Sequence, residues 1–243
     1  MEHFISRGEY LCHKIIDKLN LDLNGLNILT EAASGYYSWN PILAAMAGAA
    51  KVVCLGSDSD FGRYEENKSK INEISKILNL DNKISIFNRD KKNINLKNIN
   101  IVTNSGLLRP IDKTIISELN DKAVIPLMWE TWEFRNTDID ILLAKSNQIP
   151  VIGTNEDFRE LKMHQYNGYY MLKLLFDMKI EVYHNHIAIF GHRPASHCVE
   201  LFKRMNVNYT WFSPNVENDR NSFTYSELNE ILKITGNVAS VTG

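Results

Sequence analysis

A strand, a tight turn and a helix start follow one another in IAIFGHRPASHCVELFKRM, from Ile187 to Met205. The apolar run ends at Gly191, and an amphipathic helical pattern opens near Ala195 or Ser196. A helix that starts behind a strand presents unpaired backbone N–H groups, which suits a phosphate. The expected anion-contacting residues are Gly191, His192, Arg193, Pro194, Ala195 and Ser196, with Ser213 at the end of the following strand. A dinucleotide turn would spell G-x-G-x-x-G. Here those glycine positions read Gly191, Arg193 and Ser196, so a long cationic side chain stands where the backbone would touch a pyrophosphate.

Other chemistry-bearing residues fall where strands should end. PLMWETWEFRNTDID carries Glu130 and Glu133, three apart, with Arg135 beside them. That spacing places both carboxylates on one face of a short helix, where they could serve as acid and base. The competing reading is an ion pair between Glu133 and Arg135. Trp129 and Trp132, interleaved with this charge, could line a pocket. IVTNSGLLRPID offers Asn104, Ser105 and Gly106 as amide and hydroxyl donors, and Arg109 as a fork for a carboxylate. TEAASGYYSWNP places Glu31, Ser34 and Gly35 in a loop leading to a helix, and VIGTNEDFRE adds Asn155 and Glu156. The catalytic candidates are therefore Glu130, Glu133, Arg109 and His192. The substrate-binding candidates are Ser34, Gly35, Asn104, Ser105, Gly106, Trp132, Asn155 and Glu156. His184 and His186 alternate along a stretch read as extended and so share a face, while His192 and His197 flank the turn. No H-x-x-x-H helix or cysteine partner accompanies them, so no metal site is expected.

The elements that must position these residues are short. Apolar, β-branched runs at 26–31, 51–55, 84–88, 99–104, 123–128, 150–153, 186–191 and 208–212 read as strands buried on both faces. Between them, helical spacing runs over 64–78, 111–119, 138–146 and 166–178, and Asn40–Pro41 should open a further helix as cap and first turn. Strands alternating with helices predict an α/β fold, a parallel doubly wound sheet of flavodoxin- or Rossmann-like type. In such sheets ligands sit at the carboxyl ends of strands. The expected boundary gives a substrate-type domain at 1–182 and a partial dinucleotide-binding βαβ unit at 183–243. A complete dinucleotide domain needs about six strands, so the second segment, which includes a helix in TYSELNEIL, is expected to be a half-unit, or to extend the first sheet with its strands, or to have lost residues.

The 243 residues are 44% apolar, ample for a core, and the net charge of −2 supplies no basic field for nucleic acid. Three widely spaced cysteines without C-x-x-C read as reduced thiols in a cytoplasmic protein. No signal peptide is expected, and no apolar run approaches ~20 residues, so no membrane span is expected either. Aromatic residues, 10% of the chain, could furnish an interface between two copies, and a homodimer is expected.

The stretch INIVTNSGLLRPIDKTIISELNDKAVIPLMWETWEFRNTDIDILLAKSNQIPVIGTNE resembles the catalytic domain of the D-2-hydroxyacid dehydrogenases. Thr137, Asp138, Ile139 and Asp140 match the family's turn into a helix, and Gln148, Ile149, Pro150 and Val151 match its next strand. The segment 166–178 falls where the family's interdomain helix falls, and IAIFGHRPAS where its nicotinamide-dinucleotide turn falls. The order of parts agrees over roughly 99–214. Besides the altered glycines, the acid expected after the next strand is replaced in YTWFSPN by Ser213 and Asn215, which leaves room for a phosphorylated ribose on Arg193. The family's own catalytic residues lie later than this chain reaches and are not carried over.

The resemblance implies a small-molecule oxidoreductase using NAD or NADP, with substrate in the cleft between the domains. Two alternatives stand beside it. One is a methyl-transfer enzyme with S-adenosylmethionine at Ser34, Gly35 and Asp58. The other is a binding or assembly protein that keeps the fold without the chemistry.

Overall fold

A computed structural model describes residues 2–89, 94–158, 161–215, 218–228 and 239–241. The chain forms two compact units, Met1–Asn155 and Glu156–Gly243.

The first unit is built on six strands: β1 (Asn27–Glu31), β2 (Lys51–Gly56), β3 (Ile84–Asn88), β4 (Ile101–Val102), β5 (Ile125–Pro126) and β6 (Val151–Ile152). Its sheet runs β3-β2-β1-β4, and β5 pairs β6. A bridge between Ile101 and Val124 joins the two sets, so the strands lie in the order β3-β2-β1-β4-β5-β6, with every pairing parallel. This is the doubly wound order, and its direction reverses between β1 and β4. Alternate strand residues feed two cores. Ile28 and Val52 pack with Ile42 of α2 (Trp39–Met46), Ile71 of α3 (Tyr64–Ile77) and Cys12 of α1 (Glu2–Leu19). Leu29 and Val102 pack with Ile116 of α4 (Lys113–Ile116) and Ala144 of α5 (Ile141–Ser146).

Helix α1 is absent from the sequence reading, although Ile5, Gly8 and Cys12 form an apolar stripe at helical spacing. Gly8 allows the Trp39 ring onto the backbone of α1, since a Cβ there would stand 1.9 Å from it. Asn40 and Pro41 do not open α2 as expected. A 3-10 turn, Gly35–Ser38, comes first and α2 begins at Trp39, which places both residues within its first turn. The last three strands are shorter than their apolar runs because each ladder is reduced to two residues.

The second unit contains α6 (Gln165–Asp177), β7 (His186–Phe190), α7 (Arg193–Met205), β8 (Asn208–Ser213), β9 (Ser222–Thr224) and β10 (Ala239–Val241). Its sheet runs β10-β7-β8-β9 and is parallel throughout, so it holds four strands rather than two. Leu175, Ile187, Ile189, Val199, Phe202 and Trp211 form its core. The unit begins at Glu156, and α6, read from the sequence as part of the domain before residue 183, lies within it. There α6 crosses α7 closely at Gly168, where a Cβ would meet the His197 carbonyl at 2.7 Å. Helix α7 starts at Arg193, earlier than its apolar pattern, because Pro194 suits a first helical turn. It ends at Asn206 in the left-handed conformation. Of the helix read in TYSELNEIL, the described part is a 3-10 turn, Tyr225–Glu227, closed by a Thr224–Glu227 capping box and leading into helical backbone at Leu228; the residues beyond Leu228 lie outside the described ones.

His184 has φ +57°, so it does not continue the extended backbone of His186, and the shared face expected of the two is not formed. His186 instead bonds Thr210 through Nε2 at 2.7 Å. Among the described residues no three side chains cluster as metal ligands. No described helix is long and apolar enough to cross a membrane. Cys12, Cys54 and Cys198 are free and buried.

Candidate functional site

In the first unit the switch between β1 and β4 gathers a buried polar group. Glu31 is the last residue of β1 rather than part of a loop, and it is only 3% exposed. Its Oε2 accepts the Leu107 N–H at 2.9 Å, and Oε1 accepts from the Asn40 amide at 3.5 Å. Burial pushes its carboxyl above the ordinary range, against the Leu107 N–H and the charge of Arg109. Thr103 donates to Thr30 at 3.0 Å and lies 3.1 Å from the Ser105 hydroxyl. Asn104 is 1% exposed, and neither its amide nitrogen nor its oxygen has a hydrogen-bond partner. A buried group left in that state costs about 1–3 kcal/mol. Asn104 and Ser105 help line a largely apolar pocket of about 440 Å³ over β1, β4 and the end of β5.

The loop after β4 carries Gly106 into a 3-10 turn and then Arg109. Asp138 accepts from Arg109 at 3.3 Å and from Arg135 at 2.8 Å, and both guanidinium groups lie over the Trp129 ring, 4.6 and 5.1 Å from its centroid. The ion pair of Arg135 is thus with Asp138, not with Glu133 as the sequence spacing allowed. Glu130 precedes the 3-10 turn Thr131–Glu133 with extended backbone, so it and Glu133 do not share a helix face. Trp132 is exposed, at 78%, while Trp129 is the aromatic enclosed by charge. Ser34 caps the turn after β1 without a side-chain bond, and Gly35 follows with φ +58°. Asp58 accepts from the Tyr64 N–H at 2.9 Å and from Arg63 at 3.2 Å, so its carboxylate secures the start of α3.

In the second unit Gly191 follows β7 with φ +145°, and a Cβ there would press on Ala195 at 3.2 Å. Its N–H donates to Phe212 and its carbonyl accepts the Trp211 indole N–H at 2.8 Å. His192 is the cap residue of α7. Pro194 has no N–H, and the Ala195 N–H is used on the His192 carbonyl. The cradle therefore presents fewer amides than a helix start of this kind would. Charge is present instead: Arg193 pairs with Asp157, which also lies 3.5 Å from His164. The Ser196 hydroxyl donates back to the Arg193 carbonyl, and Ser213 is fully buried at the end of β8. Asn155 and Glu156 end the first unit and begin the second. The sequence reading missed Thr30, Thr103 and the enclosure of Trp129. The alternation of Thr30 with Ile28, and of Thr103 with Ile101, was the available signal.

No protein-family model matches the chain, and no curated protein matches it. Among solved structures, a component of the dipicolinate synthase of Bacillus halodurans matches 90% of this chain and 75% of its own, with a TM-score of 0.53 and 10% identity. The fold is Rossmann-like. Shikimate 5-dehydrogenase from Listeria monocytogenes, solved with shikimate and NAD, has a TM-score of 0.42 and 15% identity over 62% of this chain and 52% of that one. Quinate dehydrogenase from Corynebacterium glutamicum, solved with NAD, has a TM-score of 0.40 and 10% identity over 61% and 50%. The chain spans about half the length of these two dehydrogenases. None of these likenesses singles out the D-2-hydroxyacid dehydrogenases. A Rossmann-like sheet places ligands where its strand order reverses. In this chain those places are the ends of β1 and β4 in one unit and of β7 and β10 in the other.

Proposed function

We propose that the chain is an oxidoreductase-like protein that binds a nicotinamide dinucleotide, NAD or NADP, on its second unit and a small molecule at the strand ends of its first. One observation carries this reading. Helix α7 begins directly behind Gly191 where the order β10-β7-β8-β9 reverses, and Arg193 stands in its first turn. The residues fit a phosphate by side chain more than by amide. The guanidinium of Arg193, now paired with Asp157, would supply the charge to hold a phosphate. When bound, the cofactor supplies hydride chemistry. Arg109, its plane fixed by Asp138 and Trp129, would hold a carboxylate or carbonyl oxygen in the first unit, and Glu130 would carry a proton there. Fluorescence titration with NADH and NADPH tests this. Arg193→Glu should weaken binding at least tenfold, while Asp157→Asn, which releases the guanidinium, should tighten it. Absence of binding by NAD, NADH, NADP and NADPH at millimolar concentration overturns the reading.

One observation favours a second reading, binding without chemistry: Pro194 and Ala195 leave the turn short of donors. A dinucleotide that binds yet is never oxidised or reduced with candidate hydroxy- and keto-acids would select it. The reading also takes the protein as a cytoplasmic homodimer with reduced thiols, and light scattering checks the dimer.

A further inference from the structure

We propose that the first unit's pocket takes a neutral, flat, mostly apolar molecule with an amide-like edge, of the kind a nucleobase or an aromatic carboxamide presents. The inference goes beyond the proposed function: this pocket is lined without the Arg109 group assigned there to a carboxylate, and its occupant is independent of the dinucleotide. At about 440 Å³ the pocket has the size of a small-molecule site. Ile28 of β1, Ile101 of β4 and Pro126 of β5 form its floor, and Leu43 and Ala44 of α2 form a wall. No lining residue is acidic, basic or histidine, so nothing there compensates a charge on the occupant. The Arg109–Asp138 pair, suited to carboxylates, is not part of this lining.

The polar groups inside define the ligand's edge. The hydroxyls of Thr30, Thr103 and Ser105 are bonded to one another and make no demand on a ligand. Among the described residues lining this pocket, Asn104 is the buried one whose side-chain polar atoms lack partners. Both atoms are shielded from solvent, so water in the open part of the pocket does not satisfy them. A side-chain amide offers one acceptor and one donor side by side. The matching partner is an adjacent donor and acceptor on a planar ring or carboxamide, as on the edge of adenine. Small rotation of Asn104 brings that edge to an occupant, and Tyr37 at the rim provides a ring to stack on.

The test uses the full chain with adenosine, uridine, nicotinamide and, as an apolar control without an acceptor, indole. Calorimetry is paired with NMR of methyl-labelled methionine, in which Met128 lines the pocket and is assigned through Met128→Leu. At least one of the first three should bind and shift the Met128 methyl signal. Asn104→Leu should weaken it about tenfold. Adenosine or uridine points to a nucleoside, and nicotinamide alone to a carboxamide. The proposal fails if none of the three moves the Met128 signal, if indole binds as well as they do, or if Asn104→Leu folds and binds normally. Should Asn104→Leu not fold, the wild-type Met128 signal and the indole comparison decide. If dinucleotide titration fails while adenosine still binds, the second unit's assignment falls and this one stands.

Discussion

Two buried charged residues carry distinct consequences. Burial holds the Glu31 carboxyl above the ordinary range, so the folded chain keeps its proton where the unfolded chain has lost it. The stability this group contributes is full below the ordinary carboxylate pKa, and it is lost as pH rises through the folded value. Glu31→Gln keeps an acceptor for the Leu107 N–H and does not ionise. Its stability relative to wild type should therefore increase from about pH 4 toward neutrality, read from urea midpoints across pH. A difference that does not change with pH would contradict the burial argument. Asp138 is the shared acceptor of Arg109 and Arg135 and is 9% exposed. Asp138→Ala leaves the Arg109 guanidinium, itself largely enclosed, without its counter-charge. The expected loss is about 3 kcal/mol, measured by denaturation, with Asp138→Asn milder.

The crossing of α6 on α7 sets local propensity against packing. Gly168→Ala should favour a helix interior by about 1 kcal/mol. Its Cβ, however, would press on the His197 carbonyl at 2.7 Å, and a backbone oxygen cannot swing aside as a side chain can. The net effect should be a lower melting temperature, seen by circular dichroism. The same contest explains what was legible in the sequence. Strands β1, β2, β3, β7 and β8 lie close to their β-branched runs because burial on both faces demands such residues throughout. Helix α1 was hidden because its stripe includes Gly8, whose purpose is visible only with Trp39 against it. Asn104 was recognisable as a polar residue at a strand end. Its lack of partners was not, since that depends on which hydroxyls pair among Thr30, Thr103 and Ser105. The turn at Gly191 was legible in outline, whereas the use of the Ala195 N–H on His192 depends on helix α7 starting at Arg193.

Both units share one plan. The order β3-β2-β1-β4 of the first recurs in the second as β9-β8-β7-β10, each with a glycine of positive φ shortly after its central strand, Gly35 and Gly191. Each unit has cores of its own. Phe202→Ala empties the middle of the second unit and should cost it about 3–5 kcal/mol. Hydrogen exchange should accelerate in β7 and β8 while β1 and β2 keep their protection. Equal acceleration in both would show that the units do not open separately. The enclosed cysteines turn this into a measurement the unaltered chain can make on itself. Burial raises the thiol of Cys54 far above its usual value and those of Cys12 and Cys198 to about 11, so thiolate is scarce while their surroundings stay closed. Alkylation at each site, followed peptide by peptide in a mass spectrometer, then becomes a clock for the breathing of its own surroundings. Cys12 and Cys54 time the first unit and Cys198 the second, with no label engineered in.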